Sequence, residues 1–182
     1  MRKIVVSTYV TLDGVMEAPE MWVFRFWNDE HTKYADDQLF ASDALLMGRG
    51  VYEEFAASWP SRTTEFADRM NSLPKYVVST TLEEPLEWNN STLVKENVAE
   101  EVSKLKQQDG QDILMYGSAD LMQTLMELDL IDEYRLWVHP ILLGSGKRLF
   151  REESATKALR LVDTTTFSSG VVVLSYQPAQ GE

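Results

Sequence analysis

The sequence predicts an α/β protein with a mixed central sheet, flanked by helices and closed by a C-terminal antiparallel hairpin. Three observations predict it. Short, continuous apolar runs recur at Ala44–Met47, Tyr76–Ser79 and Ile113–Tyr116, the pattern of strands covered on both faces. Helical patterns separate several of these runs, which calls for crossover connections and a largely parallel centre. The end differs: Leu159–Phe167 and Val171–Tyr176 flank the turn residues Ser168-Ser169-Gly170, so a hairpin is expected.

Taken in order, Lys3–Leu12 reads as the first strand. Beyond Pro19, the aromatic group Trp22, Phe24, Phe26 and Trp27 suits either a flat-ring pocket or a core or dimer-facing patch. Asp29–Ser42 is a helix candidate with Tyr34, Ala35 and Leu39 roughly on one side. Strand Ala44–Met47 runs through Gly48-Arg49-Gly50 into a helical segment, Val51–Ala57. Tyr76–Ser79 and Thr92–Val94 follow as strands. After Asn97, residues Val98, Val102 and Leu105 recur at helical spacing, with Glu100 placed to pair with Lys104. Asn97 followed by Glu100 resembles a capping box, and Asp109-Gly110 closes that helix. Ile113–Tyr116 leads to a helix bearing Leu121, Leu125 and Leu128 beside Met122 and Met126, and Glu133–Val138 is the next strand. No repeat or linker divides the chain, so one domain over 1–178 with a short tail, 179–182, is expected.

Composition excludes several classes. The 182 residues include 17 Lys+Arg and 29 Asp+Glu, a net charge of −12 without a basic cluster, which argues against a nucleic-acid partner. The absence of cysteine excludes a disulfide scaffold, a thiolate metal site and a thiol nucleophile. No apolar run reaches the roughly 18 residues of a membrane span, and the opening apolar stretch is too short for a signal peptide. The expectation is a cytoplasmic protein with no membrane partner.

Chemistry is expected in the crevice beyond the carboxyl ends of the strands. Three strands end in suitable residues: Met47 before Gly48-Arg49, Val78 before Ser79-Thr80-Thr81, and Tyr116 before Gly117-Ser118-Ala119. Glycine permits close approach, a helix N-terminus favours an anion, and Arg49 offers a forked donor to a phosphate. Taken singly, Gly48 and Gly117 fit tight strand-to-helix turns, Ser118 fits an N-cap, and Asp120 in the same turn disfavours a phosphate. Neither the Gly-x-Gly-x-x-Gly fingerprint nor the phosphate-loop motif occurs. His31 reads as a surface residue of a helix and His139 as a strand-end residue before Pro140; neither has a metal-site spacing.

These residues resemble the dihydrofolate-reductase-like superfamily. The resemblance runs through Leu12-Asp13-Gly14, Leu46-Met47-Gly48-Arg49, Val77-Val78-Ser79, Tyr116-Gly117-Ser118-Ala119 and the segment Pro140–Phe150. Within the superfamily, the chain is most similar to the C-terminal reductase domain of bacterial riboflavin-biosynthesis deaminase/reductases, here expected as a stand-alone domain because no zinc-deaminase pattern occurs. The resemblance implies NADPH bound across the carboxyl edge of the sheet, and a homodimer. It places Gly48 and Arg49 at the adenosine-phosphate end, with Ser79 and Thr80 continuing that site. Tyr116, Gly117, Ser118 and Ala119 fall at the pyrophosphate. Asp13 and Gly14 fall near the nicotinamide and substrate, and Trp27, from the aromatic group that suits a flat-ring pocket, is added as an expected substrate contact. Where relatives commonly carry a basic residue, this chain has Thr80, so selection of the 2′-phosphate rests on Arg49. A substrate-gripping carboxylate on the first helix has four candidates: Asp29, Glu30, Asp36 and Asp37.

The implied activity is hydride transfer to a pterin, an aminopyrimidine or a related heterocycle or carbonyl compound. Asp13 could orient substrate or relay a proton, provided burial raises its pKa; otherwise it is an Asp-Gly turn residue. The alternative is a dimeric nucleotide-binding module without efficient turnover. The expected dimer contacts are Leu136, Trp137, Ile141, Leu142 and Leu143, which exceed what one flanking layer needs, although a buried edge strand accounts for them nearly as well.

Overall fold

The computed structural model describes residues 1–180. Strand β1 (Ile4–Thr11) is followed by two short 3-10 turns, Pro19–Met21 and Phe24–Phe26, and then by helix α1 (Asp29–Phe40). Next come β2 (Ser42–Gly48), α2 (Arg49–Ser58), α3 (Glu65–Ser72), β3 (Lys75–Val78) and β4 (Ser91–Val94). The second half carries α4 (Val98–Gln107), β5 (Asp112–Tyr116), α5 (Ala119–Glu127), β6 (Glu133–His139), β7 (Leu159–Thr166) and β8 (Val172–Pro178). Among the described residues, the eight strands form one sheet in the order β4-β3-β2-β5-β1-β6-β8-β7. The six strands from β4 to β6 are mutually parallel, and β8 and β7 add antiparallel pairs. The mixed sheet and terminal hairpin are those expected.

Each sheet face has its own cover. Ile4, Val6 and Val10 of β1 alternate onto the face packed by Val102 and Leu105 of α4 and Leu121 and Leu125 of α5. Val5, with Leu45 and Met47 of β2, points to the opposite face, under Leu39 of α1 and Met70 of α3. Farther along that face, Ala35 of α1 packs on Trp137 and on Phe167, Val171 and Val173 of the hairpin. The period-2 alternation of β1 therefore sets which half of the chain each helix must cover. No helix is long and apolar enough to cross a membrane among the described residues.

Four local readings change. Helix α3 was not expected from the sequence; it starts at Thr64, whose hydroxyl accepts the Ala67 amide at 3.1 Å, and it buries Ala67 and Met70 three residues apart. Asn97 makes no capping box: its φ is +53° and its side chain makes no cap hydrogen bond, because an N-cap side chain needs extended backbone to reach the first-turn amides. The expected Glu100–Lys104 pair does form, at 2.9 Å. His31 is fully buried rather than on the surface, because it shares the inward stripe of Ala35 and Leu39 at spacings of four. Strand β6 is interior, between β1 and β8, so Trp137 is a core residue whose indole donates to Ser7 Oγ at 2.8 Å, while Leu142 is 68% exposed. Of the tail expected at 179–182, Ala179 donates to Ala158 O at 3.0 Å, and residues 181 and 182 lie outside the described residues.

At the start of β3, Lys75 is buried and donates to the Asn71, Leu73 and Asn89 carbonyls at 2.8, 2.9 and 2.9 Å. Its ammonium also sits 4.3 Å over the Trp88 ring. One side chain thus fastens the end of α3 and the long loop between β3 and β4.

Candidate functional site

Parallel strands bring their carboxyl ends to one rim. Gly48 pairs with Val78, Leu46 with Met115, Ser7 with Tyr116 and Thr11 with His139. The three Gly/Ser strand ends singled out in the sequence therefore converge. Gly48 is required for space rather than for backbone angle: a Cβ there would meet Ser118 Oγ at 2.8 Å, so the starts of α2 and α5 touch across it. Gly117 has φ +53°, and an added Cβ would meet nothing within 4 Å, so the chain is open to the rim at that point. Ser118 is also left-handed, with φ +62°, and its side chain caps nothing. Ala119, the first residue of α5, is buried beneath them.

Arg49 is half-exposed; its Nη1 donates to Thr81 Oγ1 at 2.6 Å and its Nε to Glu53 Oε1 at 2.8 Å. Ser79 Oγ accepts the Thr81 and Leu82 amides at 3.2 and 3.1 Å, which shapes the turn presenting Thr81 to Arg49. Thr80 is exposed. Thr81, which the sequence reading left without a role, is the hydroxyl that positions the guanidinium. Asp120, the expected obstacle to a phosphate, is ion-paired with Lys147 at 3.5 Å and with Arg151. That pairing offsets its charge at the α5 N-terminus.

On the other side of the rim, Asp13 accepts from Thr11 Oγ1 at 2.5 Å, from the Gly144 amide at 2.8 Å and from the Leu143 amide at 3.3 Å. These bonds, led by the Thr11 hydroxyl and the Gly144 amide, hold its carboxyl down at about 2. The proviso for proton relay is therefore not met. Asp13 is an anion that ties the segment after β6 to the end of β1. Gly14, at φ +86°, continues the tie by accepting the Leu149 amide at 3.0 Å.

Trp27 stacks on His31 with ring centroids 3.8 Å apart, and its indole N–H donates to Thr32 Oγ1 at 2.7 Å. Beneath it, Tyr9, His31, Trp137 and His139 form an aromatic box, with His31 Nε2 3.3 Å from Tyr9 Oη. The sequence reading missed this box, although the His31, Ala35, Leu39 spacing carried the signal. Trp22 closes it over His139 at 5.0 Å, while Phe24 is largely exposed, so the aromatic group splits between core and surface. Tyr116 turns its phenol inward beside Phe55, and burial, reinforced by Tyr9 and Asp36, raises its pKa. Of the four first-helix carboxylates, Glu30 is taken by the Ser168 amide and hydroxyl and Asp37 by Lys33, and Asp29 is exposed. Asp36 is half-buried on the Tyr116 side.

The chain matches the family model of the RibD C-terminal domain over residues 2–173. The chain belongs to the RibD C-terminal domain family. It is 36% identical over 180 residues to the uncharacterized protein YyaP of Bacillus subtilis, covering 96% of this chain and 94% of that one. Among solved structures, a putative riboflavin biosynthesis protein from Shewanella sp. PV-4 matches with a TM-score of 0.79 at 22% identity, over 99% of this chain and 100% of that one. A diaminohydroxyphosphoribosylaminopyrimidine deaminase/5-amino-6-(5-phosphoribosylamino)uracil reductase from Thermotoga maritima matches with a TM-score of 0.67 at 13% identity, over 98% of this chain and 57% of that one. These two structures establish the fold, and membership of the RibD C-terminal family supports a reductase-like role.

Proposed function

We propose that this RibD C-terminal-type domain is an NADPH-dependent reductase of a small pterin, aminopyrimidine or related heterocycle or carbonyl compound. The observation that carries the reading is the meeting of Gly48-Arg49, Ser79–Thr81 and Gly117-Ser118 on one rim. The residues fit the cofactor: an open cradle at Gly117, a half-exposed guanidinium at Arg49, and cations at Lys147 and Arg151 offsetting Asp120. Bound there, a reduced nicotinamide supplies a hydride. Gly117, Ser118 and Ala119 hold the pyrophosphate on the amides that open α5, and Tyr116 supports them from below. Arg49, set by Thr81 and flanked by Ser79 and Thr80, takes the 2′-phosphate. Gly14 and Trp27 border the substrate, and Asp13 fixes the loop that closes on it.

The test is fluorescence titration with NADPH and NADH, using the five tryptophans as reporters. Arg49→Ala removes a charge-assisted contact of about 1.5–3 kcal/mol, so NADPH affinity should fall roughly 10- to 100-fold. Unchanged affinity removes Arg49 from the site. Tight binding without oxidation across pterins, aminopyrimidines and ketones would instead favour a nucleotide-binding module, a reading favoured by the anionic state of Asp13.

We also propose a homodimer. Leu136 and Val138 of β6 and Leu174 of β8 are only partly buried on the α5 side of the sheet, and Leu161 on the edge strand is 50% exposed. Sedimentation at micromolar concentration is expected to give twice the mass of the 20.8 kDa chain; a monomer overturns the dimer.

A further inference from the structure

The cations of the proposed cofactor rim already hold carboxylates of the chain itself. Arg49 opens α2, and its Nε donates at 2.8 Å to Glu53 Oε1, one turn further along the same helix. Lys147 Nζ lies 3.5 Å from Asp120 Oδ1, the oxygen that Arg151 also meets, and Asp120 is the second residue of α5. The two helices start against each other, at Gly48 and Ser118. Each helix that opens on the rim therefore brings one carboxylate, and each carboxylate engages cations there.

Neither carboxylate does the usual work of an acidic side chain near a helix start, which is to accept the free amides. Among the described residues Glu53 and Asp120 meet only these cations, and the cations meet no other carboxylate. The pairs are open to exchange. The side chains of Arg49 and Glu53 are each 51% exposed, and those of Lys147 and Arg151 are 50%, so water weakens both pairings. A phosphate, with more charge and more acceptor oxygens, competes well with one carboxylate for the same donors.

The cations stay in place if they change partner. Arg49 Nη1 keeps its bond to Thr81 Oγ1 at 2.6 Å, which holds the guanidinium at the rim. The Lys147 carbonyl accepts the Met16 amide at 2.9 Å, and the Leu149 amide donates to Gly14 O at 3.0 Å. The segment that carries Lys147 and Arg151 is thus fastened by its backbone, independently of Asp120.

We propose that Glu53 and Asp120 are internal stand-ins for the cofactor's phosphates, which hold these cations until a cofactor takes them and so set its affinity and selectivity. The proposal rests on the reductase reading, with the 2′-phosphate at Arg49 and the pyrophosphate at the start of α5. On that placement the two carboxylates act on different cofactors. Glu53 competes with a 2′-phosphate alone, so it narrows the preference for NADPH over NADH. Asp120 competes with the pyrophosphate, which both dinucleotides carry, so it weakens both alike.

The test is titration of NADPH and NADH into the wild-type chain, Glu53→Gln and Asp120→Asn at low salt, read by tryptophan fluorescence. Glu53→Gln should tighten NADPH roughly three- to tenfold and leave NADH within about twofold. Asp120→Asn should tighten both dinucleotides by a similar factor, roughly three- to tenfold. Adding Arg151→Ala to Asp120→Asn should then cost roughly tenfold in affinity for both, because the cation acts on the phosphate itself. No cost in that background means that Arg151 only neutralises Asp120, and overturns the exchange at α5. In carboxyl 13C spectra, the Glu53 and Asp120 signals should shift as NADPH is added, while Asp37, paired with Lys33 on α1, holds. Unchanged or weaker NADPH binding in either carboxylate variant, or equal gains for NADPH and NADH in Glu53→Gln, overturns the stand-in role and leaves the reductase reading standing. Failure of the wild-type chain to bind either dinucleotide overturns both.

Discussion

Replacing Lys75 with methionine is expected to destabilise the chain by about 3 kcal/mol and to lower the thermal midpoint by roughly 6–12 °C. Methionine keeps most of the volume but leaves the Asn71, Leu73 and Asn89 carbonyls without their donor. It also removes the cation over Trp88, whose own amide and indole are held by Tyr52 Oη and Asn71 Oδ1. Burial draws the Lys75 pKa down to about 8, yet the group remains charged at pH 7, so the loss is that of a buried ammonium with all three protons placed. Hydrogen exchange should quicken first around β3, β4 and the end of α3, because these elements share the fastening. A variant with unchanged midpoint would show that the carbonyls find other partners.

Acid should weaken the fold through His31. Its folded pKa, about 4, lies below the ordinary 6.5, so the unfolded chain binds more protons between these values. Stability is therefore complete above pH 6.5 and falls as pH drops toward 4, by about 3 kcal/mol from this group. His139 is lowered too, chiefly by burial, and acts in the same direction. Urea unfolding at pH 7 and pH 4.5 should show a smaller acid loss in His31→Gln than in the wild-type chain. Equal losses would mean that the imidazole is already charged in the folded state. Asp13 and Glu30, whose pKa values are lowered by hydrogen bonds, lose their contribution only in more acid solution, below the ordinary carboxylate range.

The strands were legible because most are buried on both faces and read as continuous apolar runs; β2 is buried at nearly every position. Helix α3 was hidden by its brevity, for eight residues give barely two turns of pattern. The rim of strand ends was readable because parallel pairing brings the Gly- and Ser-bearing ends of β2, β3 and β5 together, although each alone fits an ordinary tight turn. The box around Tyr9 was not, because it joins residues 9, 31 and 139 through β1, α1 and β6; the spacing of His31 with Ala35 and Leu39 marks an inward face but not the partners it meets. Asp13 shows the limit of residue type: a carboxylate in a turn reads as a possible acid, and only its three donors reveal an anion.

The decisive measurement is an amide-resolved NMR titration of the 15N-labelled protein with NADPH. Shifts are expected at Gly48, Arg49, Ser79–Thr81 and Gly117–Ala119 that saturate together with one dissociation constant, while Lys157 and Ala179 at the opposite end of the sheet stay unmoved. Shifts confined to one of those three strand ends, or centred on the opposite end, would contradict it.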